Sequence, residues 1–314
     1  MPPKILVISG PTASGKTRLA VELALRHGGE VVSADSMQVY RRMDIGTAKP
    51  TPEEMRGIPH HMLDVADPEE DFSVARYVEL AAPCVDDILA RGKLPIVAGG
   101  TGLYLDSLLS GRTFAPFSPD GGLRARLEAR FDALGGEAML GELAAADPEA
   151  AARLHPNDRK RIVRALEVFQ QTGKTISQHN RETRALPLRY DALTLSLAFQ
   201  RREDMWARID RRVDEMMAAG LAEEVRALLD SGVPARCTAM QAIGYKEMAA
   251  AQRGGGDVCA AAEEIKLRSR QYAKRQLTWF RRTEGAKWLF WGPEPDFEAA
   301  CRTSTKYLEE FGLV

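Results

Sequence analysis

The chain has 314 residues, of which 45% are hydrophobic and 28% are charged, and its formal net charge at pH 7 is -1. This composition is typical of a globular protein, and no apolar run approaches the ~20 residues of a membrane span, so we expect no membrane partner. Four scattered cysteines without a CxxC pair exclude a cysteine-rich zinc module and favour a reducing, cytoplasmic location: Cys84, Cys237, Cys259 and Cys301.

Six short runs rich in apolar and β-branched residues predict strands. In chain order they are residues 4–9 (KILVIS), 30–33 (EVVS), 61–65 (HMLDV), 94–98 (LPIVA), 193–199 (LTLSLAF) and 287–291 (KWLFW). Segments with helical periodicity separate them, such as KTRLAVELALRHG after the first strand. Strands that alternate with helices predict an α/β fold whose parallel sheet has helices on both faces.

The alternation of strands and helices stops between about residues 115 and 190. A stretch rich in helix breakers, FAPFSPDGG, is followed there by four helical segments at 123–135, 137–147, 148–154 and 157–173. We therefore predict a core of residues 1–114 and 191–314, interrupted by an all-helical insertion domain at 115–190. Two more helical stretches, 203–232 and 260–282, are predicted in the second part of the core.

The segment GPTASGKT follows the first predicted strand and opens the first predicted helix, which is the required context for a GxxxxGK[ST] phosphate loop. Its glycines let backbone N–H groups converge on phosphate oxygens at a helix N-terminus, Lys16 adds an ammonium, and the Thr17 hydroxyl can complete a Mg²⁺ shell. The motif predicts a polyphosphate ligand and Mg²⁺, but it does not distinguish a diphosphate from ATP. The predicted loop consists of Gly10, Pro11, Thr12, Ala13, Ser14, Gly15, Lys16 and Thr17.

Two further polar loops, SADSMQVY and AGGTGLY, follow the second and fourth predicted strands. Loops at the carboxyl ends of parallel strands share one crevice, so Asp35 and Thr101 are expected to face the same ligand as Lys16. The position of Asp35 is compatible with a helix cap, a Mg²⁺ ligand or a catalytic carboxylate.

Positive charge is concentrated in two segments of this nearly neutral chain. Residues 265–283 contain seven Lys or Arg residues and no acid, and DRKRIVR occupies 158–164. Such clusters bind a polyanion or form a solvated helix face. Within the longer segment, one helical stripe carries the cations Lys266, Arg270 and Lys274. A second stripe carries Tyr272, Gln276 and Trp279, polar and aromatic residues that either pack in the core or stack on bases.

The motifs GPTASGKT, DSMQVY, GTAKP, GGTGLY, LHPNDRKRIVRALEV, QAIGYKE and RQYAKRQLTWFR occur in this order. Together, over roughly residues 4–283, they resemble the bacterial tRNA dimethylallyltransferase (tRNA isopentenyltransferase) family. No zinc-finger segment follows the last motif, which favours the bacterial branch. The resemblance implies a P-loop kinase-like fold and transfer of a dimethylallyl group from dimethylallyl diphosphate to N6 of adenosine 37 in tRNA, with release of pyrophosphate. It also implies that the helical insertion contacts the anticodon stem-loop, and we expect a monomer.

The resemblance implies that Asp35 is the general base that removes a proton from N6, with Thr101 hydrogen-bonded near the same amine. Arg208 and Arg212 lie four residues apart on one predicted helix face. They are expected either to hold the departing pyrophosphate or to pair with neighbouring aspartates, Asp204 or Asp214.

The expected tRNA contacts come from the two polar loops, the insertion and the last two motifs. They are Asp35, Ser36, Met37, Gln38, Thr101, Arg124, Lys160, Arg161, Ile162, Val163, Arg164, Gln241, Gly244, Tyr245, Lys246, Arg270, Lys274 and Arg275.

Two other functions are compatible with parts of this pattern. An ATP-dependent nucleotide or small-molecule kinase would use the phosphate loop, with Asp35 on Mg²⁺, but it leaves the basic segment unexplained. An RNA-binding protein with a vestigial phosphate loop would not need the intact Lys16–Thr17 pair together with Asp35.

Overall fold

The structure, a computed structural model, describes residues 2–111, 114 and 122–314. The chain divides into two compact units, one formed by Met1–Leu109 and Arg189–Val314 and the other by Ser110–Leu188. These boundaries fall a few residues earlier than the expected insertion of 115–190. Residue 115 itself, and most of the breaker-rich stretch, lie outside the described residues.

The first unit is built on a sheet of parallel strands, which confirms the predicted α/β fold. The strands are β1 Lys4–Ser9, β2 Gly29–Ser33, β3 His60–His61, β4 Leu94–Gly99, β5 Asp191–Phe199 and β6 Lys287–Trp291. Their order is β3-β2-β4-β1-β5-β6. Central β1 pairs with β4 and β5 and is buried from Ile5 onward, as expected for a strand whose two faces are both covered.

Helices cover the sheet and build the second unit. In the first unit they are α1 Lys16–His27, α2 Pro52–Met55, α3 Val74–Ala90, α4 Gly102–Leu109, α9 Arg202–Ala218, α10 Leu221–Asp230, α11 Tyr245–Arg253, α12 Val258–Phe280 and α13 Phe297–Phe311. The second unit contains α5 Gly122–Ala146, α6 Pro148–Ala151, α7 Arg159–Thr172 and α8 Ile176–Arg184. None of the described helices is long and apolar enough to cross a membrane.

Two predicted elements differ from the structure, and backbone conformation explains both. The strand predicted at 61–65 ends at His61, because Met62 (φ 66°) and Asp64 (φ 55°) adopt the left-handed conformation and break the ladder. The helical stretch predicted at 203–232 is divided at Gly220 (φ 99°) into α9 and α10. A hydrophobic pattern does not report these changes of backbone direction.

The second unit has a small apolar core of its own between α5 and α7. Leu127, Met139 and Leu143 of α5 pack there with Ile162 and Leu166 of α7. Helix α5 is interrupted at Gly135, whose dihedral angles (φ 81°, ψ 165°) are accessible only to glycine at low cost.

Candidate active site

The loop between β1 and α1 has the geometry of a phosphate cradle. Gly15 (φ 81°) caps α1, and a Cβ at this position would lie 2.7 Å from the ring of Phe297. Lys16 Nζ donates to the carbonyl of Pro11 at 2.8 Å, so the ammonium lies back over the loop. Burial lowers the pKa of Lys16 to about 8, the Asp35 carboxylate opposes this shift and the Arg212 guanidinium adds to it. An anion bound at the loop would stabilise the charged lysine.

Two side chains from distant parts of the chain hold this loop in place. Gln276 of α12 is buried; its Oε1 accepts from Thr12 N at 2.9 Å and its Nε2 donates to Gly100 O at 2.9 Å. Trp291 at the end of β6 donates from Nε1 to Ser14 O at 2.8 Å. Gln276 therefore ties the phosphate loop to the loop after β4. Sequence patterns place Gln276 on a stripe of α12 but do not predict this contact, and they indicate no role for Trp291.

Helix α9 adds two guanidinium groups to the phosphate loop. Arg208 donates from Nε to Ala13 O at 3.4 Å, and Arg208 and Arg212 line a cavity of about 630 Å³ together with Lys16 and Thr17. Within the described residues neither arginine forms an ion pair, and Asp214 instead pairs with a lysine of α12. Burial lowers the pKa of Arg212, and the Asp35 carboxylate opposes that shift. Of the two alternatives for these arginines, the geometry favours the anion clamp.

Asp35 and Thr101 lie on adjacent loops because β2 and β4 end in close contact. A Cβ on Gly99 would overlap the backbone of Ala34, so only glycine permits this approach. Thr101 N donates to Ala34 O at 3.2 Å, and Thr101 Oγ1 accepts from Ser36 N at 3.1 Å. The loops that carry Asp35 and Thr101 are therefore joined by hydrogen bonds, and the two residues lie close together as expected.

Asp35 closes a turn rather than capping a helix. Its Oδ1 accepts from the N–H groups of Met37 at 2.9 Å and Gln38 at 3.3 Å. No hydrogen bond to Oδ2 is formed within the part of the chain that the structure describes. One oxygen therefore fixes the carboxylate, and the other remains available to a ligand.

A second, more apolar cavity of about 310 Å³ adjoins the first, and Asp35 and Arg212 line both. Its apolar wall comes from α9 and α12: Ile209, Val213, Met216 and Ile265. Tyr272 of α12 also lines both cavities, and burial raises its pKa to about 12, so its phenol is neutral at physiological pH. The arrangement can hold an anionic group and an apolar group side by side, with a carboxylate at the junction.

A Mg²⁺ ion fits this site only together with phosphate oxygens. Thr17 and Asp35 line the larger cavity, but the described residues contain no group of three or more His, Cys, Asp or Glu side chains that could hold a metal ion. Mg²⁺ commonly takes one or two protein oxygens and completes its shell with phosphate and water. The donor set is compatible with a metal that arrives with a phosphorylated ligand.

Several residues expected to contact tRNA instead have internal partners. Gln38 donates from Nε2 to Thr47 O and Ala48 O, at 3.2 and 3.0 Å, and its Oε1 accepts from Ser33 Oγ. Its amide therefore supports the loop at 44–49. Ser36 is bound to Thr101 as described above, while Met37 lines the apolar cavity.

Tyr245, another expected tRNA contact, is fully buried, and its hydroxyl has an internal partner. Its hydroxyl donates to Glu224, whose carboxylate also accepts the N–H groups of Asp44, Ile45 and Gly46. Tyr245 therefore supports the loop that borders both cavities. In the same motif, Gln241 lines the apolar cavity, Gly244 (φ 99°) opens α11, and Lys246 is exposed.

The cations of α12 fall into two groups. Lys266 pairs with Asp214 at 2.7 Å and Arg270 pairs with Asp210 at 2.8 Å, so acids of α9 pair with two of the three cations of the expected basic stripe. Lys274 and Arg275 are exposed, and the Arg275 guanidinium lies 5.5 Å from the centroid of the Tyr272 ring, at the border of the apolar cavity.

In the second unit, Ile162 and Val163 are 0% and 1% exposed within its apolar core. Helical periodicity directs both side chains inward, so an RNA contact at these two positions would involve the backbone and stays a prediction. Arg164 and Arg124 approach the buried carboxylate of Glu167, at 2.7 and 3.8 Å. Lys160 and Arg161 are the exposed cations of α7, and Arg161 is only loosely paired with Asp158 at 3.6 Å.

The chain is similar to known proteins over most of its length. The IPP transferase family model matches residues 38–283 and the Isopentenyl transferase model matches residues 3–70. The tRNA dimethylallyltransferase of Acetivibrio thermocellus is 45% identical over 309 residues, covering 98% of each chain.

Solved structures are similar over nearly the whole chain. The full-length tRNA isopentenylpyrophosphate transferase of Bacillus halodurans is 41% identical, with a TM-score of 0.72, covering 98% of this chain and 96% of that one. A eukaryotic dimethylallyltransferase described as acting on tRNA is 30% identical, with a TM-score of 0.81, covering 98% of this chain and 78% of that one. The chain therefore belongs to the IPP transferase family.

Proposed function

We propose that this protein transfers a dimethylallyl group from dimethylallyl diphosphate to N6 of adenosine 37 in the anticodon loop of tRNA, releasing pyrophosphate. The observation that carries the proposal is the position of Asp35, at the junction of a cation-lined cavity and an apolar cavity. The names of the relatives, tRNA dimethylallyltransferases, support the same reaction.

The diphosphate binds at the phosphate loop, where Lys16, Arg208 and Arg212 oppose its charge. As the C–O bond to the prenyl group breaks, negative charge develops on the departing pyrophosphate, and fixed cations in a partly buried site stabilise that charge. Thr17 would hold Mg²⁺ together with the phosphates, and the metal would supply further neutralisation of their charge.

The dimethylallyl chain occupies the apolar cavity. Ile209, Val213 and Met216 of α9 line it on the same helix that carries the two arginines. One helix thus aligns the leaving group with the hydrocarbon. The rest of the apolar cavity, next to Tyr272, accepts the adenine. The adenine must leave the RNA stack to reach the prenyl carbon.

Asp35 acts as the general base. The lone pair of an adenine amine is delocalised into the ring, so N6 attacks carbon poorly while it retains both protons. Transfer of one proton to Asp35 Oδ2, as the C–N bond forms, lowers that barrier. Thr101 Oγ1, fixed by Ser36 N, orients the amine.

The tRNA backbone binds to exposed cations of both units, Lys160 and Arg161 in α7 and Lys246, Lys274 and Arg275 in the first unit. The helical unit contacts the anticodon stem-loop, and the enzyme acts as a monomer in the cytoplasm, where its tRNA substrate is found.

Mass analysis of nucleosides tests the proposal. Unmodified tRNA is incubated with the protein, Mg²⁺ and dimethylallyl diphosphate, then digested to nucleosides. We expect adenosine that carries one dimethylallyl group, and an equivalent amount of pyrophosphate. Consumption of ATP in a parallel reaction, with no prenylated adenosine, would support a kinase, and tRNA binding with neither product would support a binding protein.

A further inference from the structure

Trp279 is an exposed aromatic side chain in a fixed orientation. It is 38% exposed, whereas Trp206 and Trp288 are partly buried and Trp291 is buried. Its Nε1 donates to Asp106 Oδ2 at 3.0 Å. A Cβ on Gly102 would overlap the indole, so the ring lies directly against the glycine backbone. The side chain is therefore held on one side and open to solvent on another.

The position of this ring connects it to the reaction site. Gly102 follows Thr101 in the chain, so the indole rests on the residue next to the one that orients the amine. On α12, Trp279 comes one turn after Gln276 and Arg275, which border the cavities. The indole therefore lies against the loop that carries Thr101.

Near Trp279 the chain carries several exposed cations, with the Asp106 carboxylate on the Nε1 side of the ring. Arg275 lies four residues before Trp279 on α12, and Arg282 lies in the turn after the helix, where its N–H donates to Trp279 O at 3.0 Å; both side chains are exposed. An exposed indole flanked by cations suits single-stranded RNA, because the ring stacks on a base while the cations approach its phosphates.

We propose that Trp279 is a stacking platform for an unpaired base of the RNA loop next to the acceptor adenosine. This inference rests on the proposed function, since it requires an RNA loop whose acceptor base has left the stack. Flipping one base breaks the stacking of its neighbours, and a fixed ring beside the cavity replaces a part of that lost stacking.

Binding of an RNA hairpin that contains the acceptor adenosine tests the platform in the absence of prenyl donor. We expect Trp279→Ala to weaken binding about tenfold or more, the range expected for one stacked base, and Trp279→Phe to retain most of the affinity. Phe290→Ala is the matched control, because Phe290 is 56% exposed on β6 and lines neither cavity, so its affinity should equal that of wild type.

Abasic hairpins separate stacking from a structural role. Removing the base that stacks on Trp279 should reduce wild-type affinity to the level of the alanine variant, and should not weaken that variant further. Trp279→Leu, which keeps apolar bulk without an aromatic ring, should behave like the alanine variant while its melting temperature stays close to that of wild type.

Two results would overturn the inference: a hairpin affinity of Trp279→Ala within twofold of wild type, or equal losses for wild type and variant at every abasic position. Prenylation of the intact hairpin by wild-type protein is measured in parallel. If that reaction fails, the proposed function is wrong, whereas normal prenylation with unchanged Trp279→Ala binding removes only the platform.

Discussion

Replacing Asp35 by asparagine separates the chemistry of this carboxylate from its structural role. Oδ1 of Asp35 accepts two backbone N–H groups, at 2.9 and 3.3 Å, and the amide oxygen of asparagine can accept the same two. The substitution therefore keeps the turn at Met37 and Gln38. It removes the second carboxylate oxygen as a proton acceptor, because an amide nitrogen carries protons already.

A positioned general base accelerates a reaction by about 10²–10⁴-fold, which corresponds to about 3–5 kcal/mol of activation free energy. We expect the rate constant for single-turnover prenylation by Asp35→Asn to fall by about this factor. Affinity for tRNA should change only slightly, because the turn and the exposed cations remain. Single-turnover assays with saturating protein, followed by nucleoside chromatography, measure the first quantity, and fluorescence anisotropy measures the second.

Asp44→Asn is the matched control, since Asp44 also lines the larger cavity but pairs with Lys49 at 2.5 Å and not with the anion clamp. Its rate should stay within a few-fold of wild type. If Asp35→Asn also stayed within a few-fold, Asp35 could not be the base. A rate that fell only in proportion to lost tRNA affinity would assign Asp35 to positioning instead.

Four other substitutions test the electrostatics of RNA binding, of pyrophosphate binding and of folding. Lys274→Gln should make the fall of log K for tRNA with log salt less steep by about one unit. Arg270→Gln should reduce the steepness less, because Asp210 of α9 already pairs with that arginine. Binding titrations across salt concentrations measure both slopes. Arg212→Gln should weaken pyrophosphate binding in calorimetry at least tenfold, and unchanged affinity would contradict the clamp. The Glu30 carboxylate is 3% exposed, and its hydrogen bonds to Arg91 and neighbouring groups hold its pKa well below the usual range. That stabilisation is complete above the unfolded-state pKa of about 4.3 and is lost as pH falls toward the folded-state value. Glu30→Gln should therefore lower the free energy of unfolding by about 1–3 kcal/mol at pH 7 and flatten its decline in acid, as measured by urea denaturation at stepped pH.

Local patterns predicted the parts of this fold that depend on neighbouring residues. The strand at 4–9 and the phosphate loop were predicted directly, because a buried strand and a glycine-rich turn each occupy consecutive positions. The end of β3 was not, since the left-handed conformations of Met62 and Asp64 leave no mark on hydrophobicity. Nothing in the local sequence signals the contacts of Gln276 and Trp291 with the loop, which span 264 and 277 residues.

The basic helix shows why charge patterns alone overestimate a nucleic-acid surface. Spacing placed Lys266, Arg270 and Lys274 on one stripe of α12, and that geometry is helical as expected. Spacing along one helix contains no information on the helix packed against it, and α9 presents Asp210 and Asp214 to the first two cations. Among the described cations of α12, Lys274 and Arg275 have no carboxylate partner, so we expect these two to contribute most to RNA binding.

The packing of α9 against α12 also explains how one chain can bind a diphosphate and an RNA backbone at separate surfaces. On α9, Arg208 and Arg212 border the cavity at the phosphate loop, whereas Asp210 and Asp214 point their charge toward α12. The face of α9 at the cavity is thus positive and partly buried, and its other face is neutralised. Burial lowers the pKa of Lys16 and of Arg212; the Asp35 carboxylate counters both shifts, and Glu54 and Glu215 also counter that of Arg212. A compact diphosphate would relieve this excess of buried positive charge, while the exposed cations Lys274 and Arg275 of α12 suit the extended backbone of RNA.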